Sequence, residues 1–87
     1  MTKELQAICE KYNFNGDMVE MLTSMEMAYD TLEEAEKEDM PEAKSLTMVE
    51  WILSNADVDC LNNCTEKEQF LFGLGGLIIA LGSRLQL

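Results

Sequence analysis

Histidine does not occur among the 87 residues, so the commonest general acid–base side chain and the commonest metal ligand are both missing. Bases are scarce: six Lys and Arg stand against seventeen Asp and Glu, a formal charge of −11. A surface of that sign repels nucleic acid and anionic lipid and suits a basic partner. Three cysteines, an odd number, fit free thiols in a reducing compartment better than a disulfide framework. No charged n-region, apolar h-region and cleavage site opens the chain, so a cytoplasmic protein is expected. Strand patterning is lacking too: no segment alternates apolar and polar over six residues with β-branched enrichment.

These shortages remove most catalytic chemistry. Gly73-Leu74-Gly75-Gly76 sits inside an apolar run with no Lys or Ser/Thr after it, which excludes a phosphate loop. No nucleophile has a base with an orienting partner. The expectation is a non-enzyme without cofactor or metal. Cys60 and Cys64 are four apart and Cys9 is distant, so a zinc site would need a carboxylate or a second chain. Asn55, Asp57, Asp59, Asn63 and Glu66 fall at positions 1, 3, 5, 9 and 12 of a calcium loop. Cys60, however, stands where that loop turns on glycine, Asn55 where Asp is usual and Asn62 where an apolar residue is normal. A polar loop with helix caps is the reading taken.

What the chain has in abundance is helical pattern. Phe70 to Leu81 is apolar throughout, about 18 Å at helical rise and too short for a bilayer core of about 30 Å. Thr65-Glu66-Lys67-Glu68 precedes it with capping-box spacing. A helix is expected from Glu66 to Leu85. It must absorb Gly73, Gly75, Gly76 and Gly82, each costing about 1 kcal/mol against Ala in a helix interior. Gly73, Gly76 and Ala80 share a face, a groove that another helix can approach closely. Leu71, Leu74, Ile78, Leu81 and Leu85 mark a neighbouring apolar face.

Three helices should cover this one. The first runs from Lys3 to Tyr12 with Thr2 as cap and Leu5, Ile8, Cys9 and Tyr12 as its stripe. Asn13-Phe14-Asn15-Gly16 breaks it. Asp17 opens the second, expected from Met18 to about Lys37, with Met18, Leu22, Met25, Tyr29 and Leu32 along its seam. Pro41 suits the first turn of a third helix, capped by Asp39 or Met40 and reaching about Ser54. Leu46, Val49, Ile52, Leu53 and Ala56 form its stripe, with Trp51 beside it in the core. The expected fold is all-α: one domain, residues 1–87, a compact bundle of about four helices with the apolar C-terminal helix at its centre. Its core should hold Leu22, Met25, Leu46, Val49, Ile52, Leu74, Ile78 and Leu81.

Charge is the most informative functional feature. Between Asp17 and Glu42 lie ten acids and one base, so nearly all of the net charge is concentrated there. Glu26, Asp30, Glu34 and Glu38 step by four, a ridge with intervals of about 6 Å that is close to phosphate spacing along a nucleic-acid strand. The expected binding residues are Glu26, Asp30, Glu33, Glu34, Glu38 and Asp39. The expected partner is a basic surface, foremost on a nucleic-acid-binding protein, with no direct contact to nucleic acid or membrane. In size, acidity and want of catalytic groups the chain is similar in general character to phage-encoded nucleic-acid mimics and anti-defence proteins. That likeness is compositional and transfers no residues. The alternative is a homo-oligomeric adaptor acting through the C-terminal helix, a homodimer joined by Gly73, Gly76, Ala80, Leu81 and Leu85.

Overall fold

The computed structural model describes residues 1–33 and 46–85. Four α-helices occupy them: α1 (Lys3–Lys11), α2 (Gly16–Asp30), α3 (Met48–Ala56) and α4 (Glu66–Leu85), with a single 3-10 turn at Asp59–Leu61. No strand occurs among the described residues, so the all-α expectation is met. The chain divides into two compact units, Met1–Thr31 and Leu32–Leu87.

In the first unit α1 begins where expected. The Thr2 hydroxyl accepts a hydrogen bond from the Leu5 N–H at 3.3 Å, Glu4 lies in the first turn and Lys11 in the last, each at the dipole end that favours its charge. Leu5 and Cys9 are buried on the expected stripe, and Ile8 and Tyr12 are half-buried. The helix ends on Asn13, whose φ of 56° is left-handed. Phe14 N–H then reaches the Cys9 carbonyl at 3.0 Å and Asn13 N–H the Glu10 carbonyl at 3.3 Å, the paired closure of a Schellman turn. The left-handed residue is therefore Asn13, while Gly16 has no positive φ.

α2 departs from expectation at both ends. Its cap is Asn15, whose side chain accepts from Met18 N–H at 3.1 Å, so the helix starts at Gly16. It stops at Asp30, well short of Lys37. The Thr31 hydroxyl folds back onto the Ala28 carbonyl at 2.6 Å, a local bond that competes with helix continuation. No base lies in this last turn to complement the dipole, and the acidic sequence ahead opposes it.

The second unit is organised by α3 and α4, the pair most extensively packed among the described elements. α3 starts at Met48, later than expected, because Thr47 caps it by accepting from Glu50 N–H at 3.2 Å. The expected start at Pro41 lies outside the described residues. Met48, Val49, Trp51, Ile52 and Ala56 are buried, whereas Leu46 is half-buried and Leu53 exposed. α4 has the expected bounds, Glu66–Leu85. Its capping box is complete: Thr65 N–H donates to the Glu68 carboxylate at 3.1 Å, and Glu68 N–H donates to the Thr65 hydroxyl at 3.2 Å.

The buried face of α4 is Phe70, Leu74, Leu77 and Leu81, spaced 4, 3 and 4. Ile78, expected in the core, is exposed, and Leu77 takes its place. The glycines give the reason. A Cβ at Gly73 would collide with the Ile52 carbonyl oxygen, and one at Gly76 would lie 3.8 Å from the Trp51 ring. Close approach to α3 thus turns the Gly73 side of α4 inward, and Ile78 falls outside. No helix among the described residues is long and apolar enough to cross a membrane.

Candidate functional site

The expected acidic ridge begins at Glu26, and the structure puts Glu26 elsewhere. This side chain is buried, at 8% exposure. Its carboxylate accepts from Thr2 N–H at 3.1 Å through both oxygens and from the Thr2 hydroxyl at 2.8 Å. The N-terminal ammonium of Met1 stands 3.6 Å from Oε1. An anion is thereby held at the N-terminus of α1, where unpaired N–H groups and the helix dipole both favour it. Glu26 is a structural clasp between α2 and α1. The pattern carries the reason: Glu26 follows Leu22 by four and precedes Tyr29 by three, and both neighbours are buried on that side. Steps of four also advance about 40° around a helix, so a ridge started at Glu26 starts on the inward side.

The remaining acids of α2 are outward. Asp17, Glu20 and Asp30 are exposed, as is Glu33 beyond the helix end. α2 contains no base. Glu20 and Asp30 are ten residues apart, about 15 Å along the helix, so the described acids do not keep the 6 Å interval. Glu34, Glu38 and Asp39 lie outside the described residues.

The residues expected at an oligomer face differ in burial. Gly73 and Leu81 are buried within the second unit, Gly76 lies half-buried beneath Trp51, and Ala80 is half-buried. At Gly73 and Gly76 the close-approach groove is occupied by Ile52 and Trp51 of α3 of the same chain. The side chain of Leu85 lies outside the described residues. Opposite the buried face, Phe72 is 54% exposed and Ile79 76%. The spacing of Gly73 and Gly76 could have identified this side, since whatever lies across from a close-approach face points away from it.

The Asn55–Glu66 segment is a hydrogen-bonded connection. Asn55 Nδ2 donates to the Trp51 carbonyl at 2.9 Å, and Gln69 Nε2 donates to the carbonyls of Leu61 and Cys64 at 3.0 and 3.2 Å. Glu66 sits in the first turn of α4, where it complements the dipole. Among the described residues no three Cys, Asp or Glu converge in a way that could hold a metal ion.

All three cysteines are free: Cys60 exposed, Cys64 half-buried, Cys9 buried. Burial, and then the adjacent Glu10 charge, push the Cys9 thiol above its ordinary value, which keeps it protonated and unreactive near neutrality. It lines an open cleft of about 620 Å³ in the first unit together with Met1, Gln6, Glu10, Asn13, Phe14 and Val19. Trp51 is 2% exposed, and its indole N–H has no hydrogen-bond partner among the described residues. Comparison with known proteins brings no further constraint: no family, no curated protein and no solved structure matches the chain.

Proposed function

We propose that this chain is a small, acidic, non-enzymatic binding protein that occupies a basic surface, foremost on a nucleic-acid-binding protein and to the exclusion of its nucleic acid. One observation carries the reading. α2 presents Asp17, Glu20 and Asp30 to solvent with no base anywhere along it, and the acidic sequence continues through Glu33. Charge supports the proposal and regular spacing does not, because Glu26 belongs to the interior. The residues assigned to the partner are Asp30, Glu33, Glu34, Glu38 and Asp39.

Complementary charge of this kind speeds encounter and weakens steeply with salt. Reversing Asp30, Glu33, Glu34 and Glu38 to Lys, with Glu26 retained, should abolish capture of basic partners while the helical circular dichroism stays unchanged. A variant that captures the same partners at the same salt would reduce the acids to a solvated face. A second reading, an adaptor acting through α4, is favoured by the exposure of Phe72 and Ile79.

A further inference from the structure

Packing within the chain accounts for only some of the glycines of α4. The Ile52 carbonyl leaves no room for a side chain at Gly73, and the Trp51 ring covers Gly76. Gly75 and Gly82 differ: among the described residues nothing lies within 4 Å of where their Cβ atoms would stand. Both are inside a helix that alanine would favour. Both also lie on the side that bears Phe72 and Ile79. The sequence of that stripe is Phe72, Gly75, Ile79, Gly82, with steps of 3, 4 and 3, the spacing of a seam that faces another helix. Large residues occupy one position of the repeat and glycines the other.

We propose that this stripe is a contact face for a second copy of this chain, with the two α4 helices antiparallel about a two-fold axis at the level of residue 77. In that arrangement Phe72 meets Gly82 of the second copy, five residues to either side of the axis, and Ile79 meets Gly75, two residues to either side. Every large side chain finds a glycine. The antiparallel pairing of one repeat position with the other produces this, whereas parallel helices set each position against itself. Parallel pairing would place Phe72 on Phe72 and leave a void between the glycines. It would also bring the two Glu68 carboxylates together at the end of the stripe. The antiparallel pair holds them about 27 Å apart, beyond the screening length of about 8–10 Å.

The stripe is short. Two copies together remove on the order of 1,000 Å² or less from water, the lower end of specific interfaces, so the pair is weak and in exchange. Each copy carries −11, so the pair strengthens as salt rises. That sign is opposite to the one expected for a basic partner, and the inference goes beyond the acidic reading without depending on it.

Sedimentation equilibrium of the full chain from about 10 μM to about 1 mM, at low and high salt, tests it. The mass should rise from 9.8 kDa toward twice that value, and further at high salt. Ile79→Asp should hold the chain monomeric. Gly75→Ala should raise the melting temperature by about 2–8 °C yet weaken pairing about tenfold, because the empty site that destabilises one helix receives Ile79 from the other. Gly75→Ile and Ile79→Gly should each disrupt pairing, and the two combined should restore it by exchanging knob and hole. A mass of 9.8 kDa throughout would overturn the proposal. So would a double variant no better than the single ones. A monomeric wild type that Ile79→Asp strongly destabilises would place another part of the same chain over the stripe, and would overturn it equally.

Discussion

Glu26 shows how one carboxylate can be misread by a count of charges. Its acidity invites a role at the surface, yet three hydrogen bonds from Thr2 make it the anchor of α1. Hydrogen bonds to a charged group contribute about 1.5–3 kcal/mol, so Glu26→Ala should lower stability by about 2 kcal/mol, read from the urea midpoint. Asp30→Ala, at an exposed position four residues on, should change it by less than about 0.5 kcal/mol. Glu68 is a second carboxylate with a structural duty. Hydrogen bonding to the Thr65 backbone N–H, and then to its side chain, holds its carboxyl below the ordinary value. The folded state therefore binds that proton more weakly than the unfolded chain. The contribution is present above the unfolded value, about 4.3, and is lost as pH falls through the folded one. The stability difference between wild type and Glu68→Gln should accordingly shrink as pH is lowered from about 6 to about 3. A difference that stays constant over that range would remove the charge from the account of this cap.

At the scale of elements, legibility followed local chemistry. The bounds of α4 could be read because a capping box and a long apolar run both act within a few residues. Thr2 and the stripe of α1 were legible for the same reason. The end of α2 was not, since a threonine returning to its own helix looks like any other threonine in a helical pattern. The start of α3 is ambiguous in sequence, because Pro41 offers an earlier start than Thr47 and Glu50 with their capping-box spacing. The inward face of α4 required knowing which helix came close. Once α3 is known to lie against Gly73, the exchange of Ile78 for Leu77 follows. Two substitutions make this concrete. Gly73→Ala should destabilise the second unit by about 3 kcal/mol, because the atom in the way is backbone and cannot turn aside. Gly75→Ala, two residues on, should stabilise by about 0.5–1 kcal/mol, because the space is open. Thermal denaturation of the two variants should therefore move in opposite directions.

At the scale of the molecule, the run of acidic charge was legible, but which of its members face solvent was not. The sign and location of the charge could be read from the sequence, and Asp30 and Glu33 are exposed as the acidic reading requires. Glu26 left the set because burial depends on what the helix packs against. Gly73 and Leu81 turned inward for the same reason, and the apolar residues left exposed on α4 are Phe72, Ile78 and Ile79. The central claim is that acidic residues occupy a basic surface that otherwise holds nucleic acid. Its most direct test is capture of partners on the immobilised chain at low salt, followed by elution with duplex DNA or RNA. Basic, nucleic-acid-binding proteins should be retained, added nucleic acid should release them, and the Lys variant should retain none. Captured proteins that remain bound when nucleic acid is added in excess would contradict it.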